Sequence, residues 1–197
     1  MKSIKSITTN TITIKKSEFI TTLIPCSNEE EIKELLNEYS RKDATHNCYA
    51  YIVGNSIKAS DDGEPSQTAG MPMLNVLEKQ ELTNIIAIVT RYFGGIKLGT
   101  GGLSRAYSQS VSEALKLAKI IETVPATLYE ITLDYHYIKK FEHLMKTCHI
   151  PCINTDYSDQ VTYSCYLINE DFLETVRNMT SNQFSYKKIR QDYIEKV

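Results

Sequence analysis

Glycine is missing from both ends of this 197-residue chain: all eight glycines lie between Gly54 and Gly102. Backbone conformations that only glycine adopts freely are therefore expected in that one region. Paired cysteines are missing too. Cys26, Cys48, Cys148, Cys152 and Cys165 are odd in number and follow no paired spacing. That pattern favours a reducing cytosol over a disulfide framework and argues against a disulfide-linked partner, so a cytoplasmic protein is expected. No window approaches the ~20 apolar residues of a membrane span, which argues against a membrane partner. Met1–Ser17 carries four lysines but no apolar run and does not read as a signal peptide. Neither sign of charge dominates. With a formal net charge of −2, any contact with nucleic acid must come from a local patch.

Five of the eight glycines fall in one stretch, Arg91-Tyr-Phe-Gly-Gly-Ile-Lys-Leu-Gly-Thr-Gly-Gly-Leu-Ser-Arg105. It holds two arginines, one lysine and no acid, and it joins the apolar run Ile85–Val89 to an amphipathic segment. A strand end, a glycine-rich turn and a helix start supply unpaired N–H groups and the positive end of a helix dipole. Arg105 opposes that dipole, by roughly 0.3–1 kcal/mol when exposed, unless an anion or a carboxylate accompanies it. An anion site built from Arg91, Gly94, Gly95, Lys97, Gly99, Gly101, Gly102 and Arg105 is the preferred reading. The alternative is tight packing, with Arg105 paired to Asp61 or Asp62. Lys97 is followed by Leu98, so the stretch lacks the Gly-Lys-Ser/Thr of a P-loop, which disfavours a nucleotide triphosphatase.

The chain reads as two units, 1–124 and 125–197, jointed at Pro125. The second has no glycine and eight of the thirteen tyrosines. In the first unit, strands are predicted over Thr11–Lys15, Glu18–Cys26 and His46–Val53. A helix capped by Ser27, with Glu30 closing a capping box, carries Ile32, Leu35, Leu36 and Tyr39 on one face. A polar loop spans Gly54–Gly70, and Pro72 opens a short helix ending near Lys79. Ile85–Val89 reads as a strand buried on both faces. The longest helix, Gly102 to about Ile120, turns Leu103, Tyr107, Val111, Ala114, Ala118 and Ile121 inward. The second unit reads strand, helix, strand, strand, helix, strand, which is the ferredoxin-like βαββαβ order.

Four smaller constellations carry candidate chemistry. Asp61, Asp62 and Glu64 surround a turn glycine and could hold Mg²⁺ with a phosphate, but acidic turn residues more often cap or orient, here Arg91 or Arg105. His46 and Cys48 lie ~7 Å apart on one strand face, too far for a thiol–imidazole pair; His46 is kept as a lining residue of the same cleft. His143, Cys148, His149 and Cys152 match no zinc spacing, and no metal site is expected. Lys187, Lys188 and Arg190, interleaved with Tyr186 and Tyr193, could clamp single-stranded RNA but read more simply as a solvated strand face.

Three stretches carry a family resemblance: Ala44-Thr-His-Asn-Cys48; Asp61-Asp-Gly-Glu-Pro-Ser-Gln-Thr-Ala-Gly70 followed by Pro72, Leu74 and Leu77; and Arg91 to Tyr107. Together they resemble the YigZ/IMPACT family. The sequence departs from that family's pattern at Gln67, usually glycine, and at Ser104, usually valine. The resemblance implies an α+β protein of two domains. The first would be similar to a ribosomal-protein domain and to domain IV of elongation factor G, with a left-handed βαβ crossover. The second would be similar to domain V of that factor. Eukaryotic relatives regulate translation by restraining a kinase of initiation factor two through an additional RWD domain; nothing here resembles that domain. A non-enzymatic, translation-associated protein that binds RNA or the ribosome is the leading expectation. A Mg²⁺-dependent enzyme acting on a small phosphorylated substrate is second, and a module for a protein partner is third.

Overall fold

The computed structural model describes residues 1–196. They form two compact units, Met1–Thr123 and the chain from Val124 onward.

In the first unit, β1 (Lys2–Ile4), β2 (Thr8–Ile14) and β3 (Ser17–Pro25) precede α1 (Ile32–Tyr39). A 3₁₀ turn over Glu29–Glu31 leads into α1. Its cap is Asn28, one residue later than expected: the Asn28 side chain accepts the Glu30 N–H and donates to Glu31. β4 (His46–Val53) and β5 (Ser56–Ser60) form a hairpin, so the expected polar loop carries an extra strand. α2 (Gly70–Lys79), β6 (Ile85–Tyr92) and α3 (Thr100–Leu117) follow.

The sheet runs β2-β3-β6-β4-β5 with every neighbouring pair antiparallel. Its alternation sorts the side chains. Ile86 and Ile88 meet Ile32, Leu35 and Leu36 of α1 on one face, while Ile85, Ala87 and Val89 meet Met73, Leu77, Leu103 and Tyr107 of α2 and α3 on the other. β6 is thus buried on both sides, as a continuous apolar run requires.

This arrangement fixes a point of handedness. β3 and β4 run parallel with β6 between them, and α1 joins them across one face. β5 and β6 run parallel with β4 between them, and α2 joins them across the other. The second connection reverses strand direction, lateral sense and face together, so the two crossovers have opposite hands. One of them is left-handed, against the usual rule.

α3 starts two residues before the expected Gly102 and ends at Leu117. Leu103, Tyr107, Val111 and Ala114 face the core as expected, whereas Ala118 caps the helix and Ile121 belongs to β7 (Ile120–Leu133). The β-branched pair Ile120-Ile121 finds a strand partner in β1, and that pairing overrides the helical periodicity.

Pro125 lies inside β7, so the chain passes between the units in extended conformation. The second unit continues with α4 (Ile138–Thr147), β8 (Cys152–Tyr157), β9 (Val161–Leu167), α5 (Asp171–Thr180) and β10 (Phe184–Glu195). β9 lies between β8 and β7, and β10 pairs β7. Phe141, Phe172, Val176 and Tyr163 fill the core between sheet and helices.

Candidate anion-binding site at the glycine loop

The glycine loop begins where β6 ends, and its base is held by polar groups buried in the first unit. Arg91 is 5% exposed. Its Nη1 donates to Glu64 Oε1 at 2.5 Å, and Nη2 donates to Ser17 Oγ at 3.3 Å. Among the described residues Nε has no hydrogen-bond partner, but the guanidinium lies 5.3 Å from the Phe19 ring centroid and 5.5 Å from that of Phe93. Those negative ring faces favour the cation. Tyr107 donates to the same Glu64 oxygen at 2.8 Å and accepts from the Cys48 thiol at 3.3 Å. Burial first, with the charges of Glu64, Asp62 and Asp61 adding to it and the Tyr107 hydrogen bond opposing it, pushes the Cys48 thiol up to about 12, so it stays a neutral donor. Burial also raises the Tyr107 phenol, with Cys48 and Glu64 adding to the shift.

Arg91 is therefore not a ligand for a mobile phosphate. Its charge is neutralised by Glu64 inside the protein, and taking a second anion would mean breaking a buried pair. The expectation for this residue is corrected accordingly. The acids around the turn glycine divide their work in the same spirit. Asp61 Oδ1 accepts the N–H groups of Ala69 and Gly70, both at 2.9 Å, and Oδ2 accepts that of Gln67 at 2.7 Å. Burial raises the Asp61 carboxyl, but the three amide donors together outweigh it and hold it below its ordinary value. Asp62 accepts the Asn47 N–H at 2.6 Å. Neither carboxylate pairs with Arg105, so the packing alternative for that residue also falls. Nor do the three acids converge: among the described residues no group of three or more metal-ligating side chains is poised around one point.

Gln67 adopts φ +61°, a conformation that normally favours glycine. Its N–H bond to Asp61 helps to hold that turn.

His46 sits opposite Arg91 in the β4–β6 register. Its Nδ1 lies 2.7 Å from the Asp62 carbonyl, which can only accept, so Nδ1 carries a proton and Nε2 faces Glu64 Oε2 at 3.9 Å. His46 thus lines the base of the loop, beside Glu64, and makes no bond to Cys48.

Beyond this base the loop changes character. Gly94 donates to Ser17 Oγ, and a Cβ on Gly94 would stand 2.0 Å from the Lys16 carbonyl carbon, so only glycine lets the two backbones meet. Phe93 donates to Thr45 Oγ1. From Gly95 to Gly102 none of the backbone N–H groups finds a protein acceptor among the described residues. Leu103 N–H closes the first helical bond, to Gly99 O, at 2.8 Å. Gly95 and Gly99 take φ +82° and +75°, and nothing lies near the outer side of either. Gly101 and Gly102 belong to the first turn of α3 rather than to the loop. Lys97 and Arg105 are exposed, and neither pairs with a carboxylate among the described residues. The Arg105 guanidinium folds back toward the helix start, its Nη1 3.7 Å from where a Gly101 Cβ would be. Two large apolar side chains, Phe93 and Ile96, stand out of the same loop at 46% and 42% exposure.

Sequence reasoning missed Ser17, Phe19, Thr45, Phe93 and Tyr107. Phe93 and Tyr107 stand within the motif itself. Ser17 and Phe19 carry no local signal, since a strand serine and a strand phenylalanine read as ordinary sheet.

The second unit's basic strand is largely exposed. Arg190 donates to Asp192, and the Tyr186 ring contacts those of Phe184 and Tyr129.

Fold and loop together define a two-unit α+β protein whose first unit presents a glycine-rich helix start above a buried Arg–Glu pair. Residues 15–115 match the family model described as the Impact N-terminal domain. The chain is 39% identical to "IMPACT family member YvyE" of Bacillus subtilis, over 94% of this chain and 89% of the relative. It is 40% identical to "IMPACT family member YigZ" of Escherichia coli, over 73% and 74%. A solved structure described only as that of a hypothetical protein superposes with a TM-score of 0.66 at 32% identity, covering 96% of this chain and 97% of the other. The chain belongs to the IMPACT family. Among the described residues no helix is long and apolar enough to cross a membrane.

Proposed function

We propose that this protein is a translation-associated binding protein whose first unit grips phosphate groups of RNA. One observation carries the reading: a run of backbone N–H groups, Gly95 to Gly102, has no acceptor among the described residues and ends at the start of an eighteen-residue helix. Such a helix start favours an anion by its dipole and by its free donors. Lys97 and Arg105 add two charges that no carboxylate among the described residues neutralises. The Arg91–Glu64 pair supports the loop from below and takes no part in the binding itself. Phe93, its inner side against Arg91, leaves an outer face for a base to stack on. The link to translation, and the likeness of the two units to domains IV and V of elongation factor G, come from the family resemblance. The loop chemistry is what favours RNA over a protein partner. An enzyme acting through Mg²⁺ is disfavoured because Asp61, Asp62 and Glu64 are each engaged elsewhere.

The test is the salt dependence of single-stranded RNA binding by wild-type protein and by the double variant Lys97→Ala/Arg105→Ala. For a single strand, log affinity falls against log salt with a slope of about 0.7 per phosphate neutralised. The double variant should therefore show a slope shallower by roughly 1.4 and bind more weakly at low salt. Unchanged binding by a folded double variant refutes the proposal.

A further inference from the structure

In the second unit two cysteines on neighbouring strands of one hairpin are brought face to face. Residues 154–157 of β8 pair in simple register with β9, Asn154 opposite Ser164 and Tyr157 opposite Val161. Ile153 interrupts that register as an extra, bulged residue, so that Cys152 rather than Ile153 stands opposite Cys165. A bulge of this kind re-aims the side chains that follow it. Without it, Cys152 would oppose Tyr166 and point to the other face of the sheet.

The neighbouring hydrogen bond defines the type of pairing. Tyr166 donates to the Pro151 carbonyl at 2.9 Å, which makes 151–166 the hydrogen-bonded pair and 152–165 the non-hydrogen-bonded one. In such a position opposite Cα atoms are about 4.5 Å apart and the side chains approach most closely. A disulfide needs a Cα separation of roughly 4.4–6.8 Å. The two thiols differ in access. Cys152 is exposed on the edge strand, whereas Cys165 is wholly buried with its thiol against the Met145 sulfur, 3.5 Å away.

We propose that Cys152 and Cys165 form a reversible redox pair, Cys152 as the thiol that meets a peroxide and Cys165 as the thiol that resolves it. The Cys152 thiolate attacks one oxygen of hydrogen peroxide; the S–O bond forms, the O–O bond breaks and hydroxide leaves. Cys165 sulfur then attacks the Cys152 sulfenic acid. The S–S bond forms, the S–O bond breaks, and the Cys165 proton leaves with the departing hydroxide as water. In sum, two thiols and one peroxide give one disulfide and two waters. The product ties the edge strand β8 to β9, and an added dithiol reverses it. Nothing in this proposal depends on the glycine loop.

The experiment treats the full-length protein with stoichiometric hydrogen peroxide, alkylates the remaining thiols and maps the digest by mass spectrometry without reduction. The expected result is a linked peptide pair through Cys152 and Cys165, two hydrogens lighter than the separate peptides, with both residues lost to alkylation. Dithiothreitol should restore both. Cys148→Ser should behave as wild type, and Cys152→Ser should give no link to Cys165. Three results overturn the proposal: no reaction with peroxide, a link of Cys152 to Cys148 or to a second molecule in place of Cys165, or Cys152 oxidised beyond the sulfenic acid while Cys165 stays alkylatable.

Discussion

Two arginines bound the glycine loop, and they live in different physical regimes. Arg91, at its entrance, is buried, paired with Glu64 and flanked by two aromatic rings. Arg105, at its exit, is exposed, free of any carboxylate among the described residues and folded back toward a helix start that its charge opposes. One motif thus contains a buried, structural half and an exposed half, the half to which we assign the proposed ligand. Charge alone does not tell them apart; the partner does. Glu64 lies 27 positions before Arg91 and reaches it only because the Asp61 turn folds the chain between β5 and α2 back over the end of β6.

The largest effect should come from breaking the buried half. Arg91→Ala leaves the Glu64 carboxylate buried without its cation, a change that costs about 3–5 kcal/mol. Urea denaturation followed by circular dichroism should show that loss. Arg91→Ala as stable as wild type would mean that the pair does not hold the loop. Gly94→Ala comes next, because its Cβ would overlap the backbone of Lys16. Forcing that apart should destabilise by about 1–3 kcal/mol, whereas Gly99→Ala, strained only by its positive φ, should cost about 1–2 kcal/mol. A smaller loss at Gly94 than at Gly99 in the same denaturation assay would reverse the assigned roles.

Asp61 sharpens the comparison through pH. Its folded carboxyl sits below the ordinary value of 3.8. Stability from the charged form is thus full above that value and lost as pH falls through the folded one. Asp61→Ala should cost about 1–2 kcal/mol at neutral pH, as loss of a helix-capping side chain does. The stability gap to wild type should close as acid protonates Asp61; a gap that stays constant down to strongly acid pH would contradict the assigned bonds. The smallest effect has the opposite sign. Arg105→Ala should raise stability by about 0.3–1 kcal/mol, since a cation leaves the wrong end of a helix. A clear loss of stability in thermal melts would show that Arg105 has a structural partner after all.

Much of this was readable in the sequence, in ways that follow from the forces involved. The buried strand at Ile85–Val89, the inward face of α3 from Leu103 to Ala114 and the loop between them rest on local periodicity and glycine content, and local signals survive into the fold. The acids near Gly63 read as orienting groups, and Glu64 does orient Arg91. What sequence could not disclose was long-range. Nothing near Arg91 marks it as buried. β5 is short and polar, Ser56-Ile-Lys-Ala-Ser60, and becomes a strand only by pairing with β4. The end of α3 is decided by β1, more than a hundred residues earlier. The opposition of Cys152 and Cys165 depends on a single bulged residue, Ile153, whose extra place in the ladder no composition or spacing rule signals.

The central claim is that the amides from Gly95 to Gly102 are donors waiting for a phosphate oxygen. Amide-resolved NMR titration with a short single-stranded RNA tests it most directly. The account predicts that the N–H resonances of Gly95, Gly99, Gly101 and Gly102 move downfield and saturate together, while that of Gly94, already bonded to Ser17, moves little. Saturable RNA binding that leaves those four amides unshifted, or no binding at all at low salt, would contradict it.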